Sequence, residues 1–368
     1  MIDRYISIYQ RFFMTHISAI HTAVPSYLHA QMDILRFMQT YLSLDARTSR
    51  MAQLLYRRSG IEQRYSCLPD FSDGNSEKIL FSSSVVSVSK RLEIYEKEAL
   101  LLSKEALEGV MKGIDKQTIT HLITVSCTGM SAPGLDIQLV KALGLSPTIV
   151  RTSVNFMGCY AALHGLKLAD AFCQSSKPTR VLVVCVELCT LHLQQDASLE
   201  AITSGLLFAD GAAACLVENQ LNDKGGIQID SFFSKLALEG EKDMAWHISE
   251  TGFLMRLSSY VPKLVETELQ VLVKEALQEA GIEEVKHWLI HPGGKEIVQA
   301  AQKSLQITEE QLKPAYQILK NYGNMSSATI LFVLKEWWET NPEAQNEPAF
   351  VAAFGPGITM ESMLVRLV

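Results

Sequence analysis

Several features are scarce or missing in this chain, and each absence excludes a class of protein. No apolar run approaches the ~18 residues that cross a bilayer, so no membrane span is expected. Positive charge is in deficit, with 33 Lys and Arg against 40 Asp and Glu and a net charge of −7. A nucleic-acid partner is therefore not expected, because phosphate contacts need a basic surface. No Gly-x-Gly-x-x-Gly motif follows a predicted strand, which argues against a dinucleotide cofactor.

Cysteine usage and the first residues bear on the compartment. The seven cysteines are odd in number and scattered through apolar segments, unlike the paired framework of a secreted disulfide protein. Residues 1–6 lack the apolar core of a signal peptide. We therefore expect reduced thiols and a cytoplasmic location.

What is present indicates a large, well-packed α/β protein. A length of 368 residues exceeds one ordinary core, and 48% hydrophobic with 20% charged residues is typical of a globular interior. Hydrophobic periodicity predicts strands at 16–24, 121–125, 180–189, 212–217, 227–232, 288–290, 350–354 and 360–367. It predicts helices at 30–42, 92–110, 135–143, 161–172, 264–280 and 296–305, and one after Ser327 that runs to Trp338.

The chain divides into two halves that resemble each other. Residues 222–226 are polar and Gly-rich, which places a boundary between a half at 1–223 and a half at 224–368. The turn at 155–159 before one helix is echoed by 321–324 before another, and strand 212–217 by strand 350–354. This order of elements predicts a duplication with a shared central site. Residues 1–14 have helical spacing and predict a short packing helix or a partner-facing extension.

A single cysteine stands where a Gly-containing turn opens an apolar helix. Cys159 follows Met157-Gly158 and precedes the helix that begins at Ala161. Unpaired N–H groups and the positive end of the helix dipole favour a thiolate there, so Cys159 is a candidate nucleophile. A buried structural cysteine is the alternative, since free cysteine is among the most buried residue types.

Two later turns supply partners for this cysteine. His291 lies where a strand runs into Pro-Gly-Gly, and Asn324 follows Gly323 at the start of a helix. A strand-end histidine and an asparagine N-cap are both common structural features. Together, however, thiol, imidazole and carboxamide form a workable acyl-transfer set, in which the last two donate to an oxyanion.

Cysteine hydrolases of the papain type use the same three residue types in the same order. The interval of 132 residues from Cys159 to His291 falls within the ~130–150 of that class, whereas the 165 to Asn324 does not. Their cysteine also lies near the mature N-terminus in a Cys-Gly-Ser/Ala-Cys-Trp/Tyr context, which is absent here.

Four motifs in order resemble the chalcone-synthase-like family, the type III polyketide synthases. They are Met157-Gly158-Cys159-Tyr160-Ala161, His291-Pro292-Gly293-Gly294, Gly323-Asn324-Met325-Ser326-Ser327 and Phe354-Gly355-Pro356-Gly357-Ile358-Thr359. The resemblance runs from about residue 16 to the C-terminus. It implies a thiolase fold, in which two duplicated halves build a five-layer αβαβα arrangement, and a homodimer.

The resemblance also implies a mechanism. Cys159 takes an acyl group from a CoA thioester, and His291 and Asn324 bind the carbonyl of malonyl-CoA while it loses CO₂. The resulting enolate attacks the acyl group in iterative Claisen condensations that precede cyclisation. No metal and no bound cofactor are expected. An initiating ketoacyl synthase shares the three residues, but the Gly355-Pro356-Gly357 loop resembles the type III signature.

Further positions carry over from the same resemblance. Phe208 corresponds to the gatekeeper phenylalanine, and Met255 stands where a second gatekeeper is expected. Arg58 falls where the family binds CoA phosphates, within a small basic cluster (Arg57, Arg58 and Arg64) that reads equally well as a solvated face. Ser326 matches a cavity-lining serine.

The cavity residues suggest the starter. Cys127, Thr128 and Cys189 are expected to line the reaction cavity. Ala132, in a loop that reaches across the dimer, replaces a bulkier methionine of plant members. Its small side chain leaves room for a tunnel and predicts a medium- or long-chain fatty acyl starter, with a pyrone or resorcinol-type product. His192, in place of a small polar residue, argues against plant-type aromatic starters.

Overall fold

The computed structural model describes residues 13–72, 78–82, 86–220, 225–240, 242–258 and 260–368. Its strands are β1 (Thr15–Ala23), β2 (Tyr27–Ala30), β3 (Gln63–Ser66), β4 (His121–Ser126), β5 (Val150–Asn155), β6 (Arg180–Leu188), β7 (Asp210–Glu218), β8 (Ile227–Leu236), β9 (Met244–Ser249), β10 (Gly252–Leu257), β11 (His287–Ile290), β12 (Ala349–Gly355) and β13 (Thr359–Leu367).

Its helices are α1 (Gln31–Tyr41), α2 (Ala46–Arg58), α3 (Val88–Val110), α4 (Leu135–Leu143), α5 (Ala161–Cys173), α6 (Leu199–Leu207), α7 (Val261–Ala280), α8 (Lys295–Leu305), α9 (Lys313–Tyr322) and α10 (Thr329–Thr340). The predicted helix at 135–143 is confirmed at both ends, and most other predicted elements are within a few residues of those observed.

The large sheet consists of two similar sets of strands joined at one short contact. Its strand order is β5-β4-β6-β7-β1-β8-β13-β12-β11. In the first set β4 is parallel to β5 and β6, while β7 and β1 continue antiparallel. In the second, β11 is parallel to β12, while β13 and β8 continue antiparallel. β1 meets β8 over residues 15–17 and 227–229 only.

This topology shows how the halves correspond. β4, β6, β7 and β1 occupy the same places in the first set as β11, β12, β13 and β8 in the second, and β5 has no counterpart. The predicted echo of strand 212–217 by strand 350–354 is therefore wrong. Strand 212–217 lies in β7, whose counterpart is β13, because each is the antiparallel neighbour of the last parallel strand.

Apolar side chains pack in layers on either side of each set of strands. Along β6, Leu182, Val184 and Val186 join an outer core with α3, while Val181 and Val183 join a central core. The central core contains residues of both α5 and α10 and strands of both halves. A third core lies under α7 and α8 on the outer face of β11–β13. Because both faces of these strands are covered, the sequences of the strands are nearly continuous apolar runs.

Two of the sequence-based predictions concern segments that the structure describes only in part. The helix predicted for residues 1–14 falls mostly outside the described residues, and so do residues 222–224 of the boundary predicted at 222–226. All seven cysteines are buried and free. No helix in the described part of the chain is long and apolar enough to cross a membrane.

Candidate active site

One cavity of about 710 Å³ is lined by Cys159, His291 and Asn324. Cys159 stands before α5, His291 follows β11 and Asn324 stands before α10. Since α5 leads into β6 and α10 into β12, the cysteine and the asparagine occupy equivalent places in the two halves. The duplication thus brings three distant turns to one point.

The turn that carries Cys159 depends on glycine. Gly158 has φ +86°, a left-handed conformation that L side chains rarely adopt. A Cβ at this position would stand 2.1 Å from Pro356 Cδ. The loop at 355–357 therefore packs directly against the backbone that presents the nucleophile. The neighbouring Gly158 N–H donates to Cys127 Sγ at 3.0 Å.

Burial decides the protonation of Cys159. The side chain is 8% exposed, and burial raises the pKa of its thiol to about 11. Buried Glu187 raises this pKa further, while the nearby Ser326 hydroxyl and Asn324 amide lower it. Burial therefore opposes the thiolate expected from the helix terminus, because loss of water disfavours the charged form. The Cys159 sulfur lies 3.6 Å from Ser326 Oγ.

His291 is buried and held neutral. Burial lowers the pKa of its imidazole to about 3. Its backbone N–H donates to Ala352 O at 2.8 Å, which fixes the residue at the end of β11. Neither ring nitrogen has a hydrogen-bond partner among the described residues. The imidazole is thus free to donate to, or accept a proton from, a molecule in the cavity.

Hydrogen bonds at both the oxygen and the nitrogen of its carboxamide fix the orientation of the Asn324 side chain. Its Oδ1 accepts from Ser326 N at 2.8 Å, and its Nδ2 donates to Gly293 O at 3.1 Å. Its backbone bonds to Leu207 and Ala209, which flank Phe208. These contacts leave one amide hydrogen of Nδ2 for a ligand.

Glu187 is a buried carboxyl beside the cavity-lining Cys127 and Thr128 that the sequence-based description missed. It is fully buried and accepts from Cys127 N and Thr128 Oγ1, both at 2.9 Å, and from Ser327 Oγ. Burial raises the pKa of its carboxyl to about 7, against these hydrogen bonds. The signal was available, since Glu187 interrupts an otherwise apolar strand and a buried carboxyl needs partners.

The predicted cavity residues are mostly found at the cavity. Cys127, Thr128, Cys189, Phe208, Met255 and Ser326 all line it. A second cavity of about 250 Å³ shares five lining residues with the first: Cys189, Glu200, Phe208, Trp246 and Met255. Phe208 and Met255 thus stand in the partition between two compartments. Trp246, which was not predicted, donates its indole N–H to Cys127 O at 2.7 Å.

His192 lines the second cavity and not the first. Its Nε2 lies 2.7 Å from Thr128 O, and its Nδ1 accepts from Phe253 N at 3.1 Å. Its ring stacks on Phe253 with centroids 4.2 Å apart. Burial lowers the pKa of His192 to about 4, so it is a neutral packing residue.

The predicted basic cluster separates in the structure. Arg58 is exposed at the cavity mouth, where Lys295 also stands. Arg64 is 3% exposed, and its guanidinium donates to Gln31 Oε1 at 2.8 Å and to Phe208 O. The prediction of a phosphate contact is wrong for Arg64, which instead holds the backbone carbonyl of Phe208.

Ala132 is exposed and lines neither cavity of the single chain. Its predicted effect on acyl length concerns a cavity that a second subunit would complete, and it stays a prediction.

No group of three potential metal ligands occurs within the described ranges. His287 and His291 are four residues apart, a spacing that on a helix can bind a metal. Here they lie on β11 and at its end, and His287 Nε2 lies 2.8 Å from Glu347 Oε2.

Comparison with known proteins shows the family of this chain. The family model of the N-terminal domain of chalcone and stilbene synthases matches residues 13–220, and that of the C-terminal domain matches residues 228–368. The alpha-pyrone synthesis polyketide synthase-like Pks18 of Mycobacterium tuberculosis is 31% identical over 298 residues, 78% of this chain and 76% of that protein.

Solved structures show the same architecture. PKS-I from the brown alga Ectocarpus siliculosus superposes with a TM-score of 0.91 at 27% identity, covering 97% of this chain and 99% of that one. A type III pentaketide synthase from Neurospora crassa superposes at 0.87 with 25% identity, covering 96% and 99%. The predicted thiolase fold is confirmed. The family-model matches to both halves show that this chain belongs to the chalcone and stilbene synthases and is a type III polyketide synthase.

Proposed function

We propose that the enzyme loads an acyl group from a CoA thioester onto Cys159 and extends it with malonyl-CoA by repeated decarboxylative Claisen condensation. The observation that carries this proposal is the single cavity shared by a buried thiol, a neutral imidazole with unpartnered nitrogens and an oriented carboxamide. An initiating ketoacyl synthase would stop after one condensation and need a carrier protein.

Loading begins from two neutral groups. The Cys159 sulfur attacks the thioester carbonyl as its proton moves to the His291 imidazole. The carbon–sulfur bond to CoA then breaks, and the CoA sulfur takes the proton from His291. The raised thiol pKa and the lowered imidazole pKa both favour the uncharged pair before the proton moves.

Extension uses the same imidazole as a donor. The malonyl thioester oxygen accepts from His291 and from Asn324 Nδ2 while the bond to the carboxylate carbon breaks and CO₂ leaves. The electron pair forms an enolate, whose carbon attacks the acyl carbonyl and releases the Cys159 sulfur. Donors aimed at an oxygen that gains charge are each worth ~10²–10³ in rate.

A medium- or long-chain fatty acyl starter and a lactone product fit the compartments. The catalytic cavity of about 710 Å³ adjoins a second of about 250 Å³ across Phe208 and Met255, which gives a flexible chain space beyond the reaction centre. The related Pks18 is described as an alpha-pyrone synthesis enzyme, which supports a pyrone over a resorcinol.

A homodimer is the proposed assembly. β5 is an edge strand with mostly exposed residues, and unpaired edges invite a partner. Exposed apolar side chains occur in the same region at Met130, Ile137 and Val150. A second copy on this face would also bring the loop with Ala132 to its partner.

The test is an incubation with dodecanoyl-CoA and malonyl-CoA. A type III synthase releases CO₂ and a product extended by several two-carbon units, and Cys159→Ala abolishes both the extension and the acyl-enzyme. Free dodecanoic acid without CO₂ would indicate a hydrolase. One extension that occurs only with malonyl carrier protein would indicate an initiating ketoacyl synthase.

A further inference from the structure

Helix α2 carries a concentrated positive charge in an acidic protein. Its 13 residues, Ala46–Arg58, include four arginines and no Asp or Glu, whereas the whole chain has a net charge of −7. Its buried face is formed by Ala52 and Tyr56. The outward face is one stripe at helical spacing, formed by Arg47, Arg50, Met51, Leu54, Arg57 and Arg58.

The arginines of this stripe are not used within the fold. Across the described part of the chain, none of their guanidinium groups forms an ion pair. Other surface helices pair their cations, as Lys104 does with Glu108 and Lys335 with Glu339. The adjacent Asp45 caps the helix, accepting from Arg47 N and Thr48 N. The side chains are therefore available to an anionic partner.

The stripe ends at the mouth of the catalytic cavity. Leu54, Leu55, Arg58 and Ser59 line that cavity, whereas Arg47 and Arg50 do not. With a rise of 1.5 Å per residue, Arg47 lies ~16 Å along the helix from Arg58. A CoA whose phosphates contact Arg58 would leave these two outer arginines unused. The stripe thus extends the entrance beyond the footprint of a small substrate.

We infer that α2 docks an acidic acyl-carrier protein, which delivers the starter acyl group on its phosphopantetheine arm. The inference rests on the proposed acyl loading of Cys159. Arginines complement the acidic helix of such a carrier, and Met51 and Leu54, 40% and 48% exposed, provide the small apolar centre of an interface. The arm enters the cavity beside Arg58, as the arm of CoA would.

Acyl transfer from the carrier to Cys159 follows the same steps as acyl transfer from CoA. The Cys159 sulfur bonds to the acyl carbonyl carbon, the carbon–sulfur bond to the carrier's arm breaks, and the departing sulfur takes the thiol proton through His291. A membrane surface is the less favoured occupant, because the stripe has no aromatic residue and only two apolar ones to insert.

The test compares two acyl donors with equal dodecanoyl chains, a bacterial acyl-carrier protein and CoA. Loading of Cys159 is followed by intact-protein mass spectrometry. In Arg47→Glu/Arg50→Glu, kcat/KM with the carrier falls by about tenfold or more, since opposite charges steer the encounter and like charges oppose it. With CoA it stays within about twofold, which also shows that the variant is folded. The wild-type rate with the carrier falls as salt rises.

A matched control changes the same charge elsewhere. Lys112→Glu/Lys177→Glu alters two exposed cations that line neither cavity, and it loads from both donors like the wild type. Equal loading from the carrier by all three proteins overturns the docking site, and so does no loading from the carrier by the wild type. Loss of binding to phosphatidylglycerol vesicles without any change in carrier loading assigns the stripe to a membrane instead. Failure of the wild type to load from CoA would reject the proposed function itself.

Discussion

Burial shifts the pKa values of the side chains around Cys159 more than neighbouring charges do. Thiol and imidazole are both neutral, with pKa values raised to about 11 and lowered to about 3. Glu187, which is bonded to Cys127, Thr128 and Ser327, has a pKa raised to about 7. A neutral imidazole still carries one N–H group, which can donate a hydrogen bond to an enolate oxygen. The site is thus arranged for oxygen stabilisation as much as for nucleophilic attack.

Replacing the Asn324 amide should separate extension from loading. Asn324→Asp keeps an oxygen that can accept from Ser326 N but replaces the amide donor with a negative charge. Decarboxylation of malonyl-CoA should fall by ~10²–10³, while loading of Cys159 from acyl-CoA changes little. The measurement is CO₂ release from malonyl-CoA beside the mass of the acyl-enzyme.

Asn341→Asp is the matched control, at the far end of α10. It should leave CO₂ release unchanged. Equal loss of loading and CO₂ release in Asn324→Asp would mean that Asn324 supports the fold of the site and does not bind the extender.

A second residue-scale prediction concerns acid stability. Unfolded histidine has a pKa of ~6.5, whereas folded His192 has one lowered to about 4. The unfolded state therefore binds the proton first, and stability is lost as pH falls from 6.5 towards 4. The loss attributable to His192 is up to about 3 kcal/mol. In His192→Gln the decline in the free energy of unfolding between pH 7 and pH 4.5 should be smaller.

Urea unfolding at the two pH values measures this effect. His247→Gln, at an exposed position of the adjacent strand β9, is the control and should decline like the wild type. The raised pKa of Glu187 gives the opposite slope, since a protonated carboxyl favours the folded state, but it is common to all three proteins. An unaltered slope in His192→Gln would contradict the assignment.

At the residue scale, the sequence was enough to choose the three central side chains but not their charges. Cys159, His291 and Asn324 are recognisable because each stands on a glycine-flanked turn at the end of a strand or the start of a helix. The helix-terminus argument for a thiolate used only local structure. The burial that opposes it involves segments distant in sequence, such as Ser326 and the 355–357 loop. Arg64 was misread for the same reason.

At the scale of elements, the turn before α5 is the feature under most constraint. Gly158→Ala adds a left-handed strain of about 1–3 kcal/mol and a contact that forces Pro356 to move. Thermal unfolding should show destabilisation, and acyl loading should fall because the sulfur is displaced with the backbone.

Gly144→Ala is the matched control. Gly144 has φ +66° and nothing within 4 Å of the added Cβ, so this variant has the same kind of strain without the collision. It should lose some stability and load normally. Normal loading by Gly158→Ala would mean that the Pro356 contact does not position the nucleophile.

Elements with strong periodicity were predictable, and those without it were not. The helices 135–143 and 161–173 have apolar faces that the core completes. β5 was missed because five of its six residues are partly or fully exposed, which leaves no alternation to detect. The β9–β10 hairpin was missed because its strands cover the cavity and mix polar with apolar residues. These elements depend on tertiary contacts for their conformation.

At the scale of the whole molecule, duplication explains where the chemistry is. Equivalent strand ends, β4 and β11, contribute Cys127 and His291, and equivalent helix starts, α5 and α10, contribute Cys159 and Asn324. The order of elements revealed two related halves. The strand-by-strand correspondence of the halves could not be predicted from the sequence, because it depends on which strands are neighbours in the folded sheet.

The edge strand β5 gives a prediction at this scale. The wild type should sediment as a dimer, and Val150→Lys should shift it towards monomer by placing a charge on the proposed interface. Sedimentation velocity over a range of concentrations measures this. Ile248→Lys, at another exposed apolar position, is the control and should remain dimeric. A monomeric wild type would contradict the proposed assembly.

The most direct test of the proposed mechanism is a single turnover of the isolated acyl-enzyme. The protein is loaded with dodecanoyl-CoA, freed of excess donor and digested to locate the adduct, and a second portion is mixed with malonyl-CoA. The proposed mechanism predicts a dodecanoyl group on the peptide that contains Cys159, then its disappearance with release of CO₂ and an extended product. An adduct elsewhere, or its release as dodecanoic acid without CO₂, would contradict it.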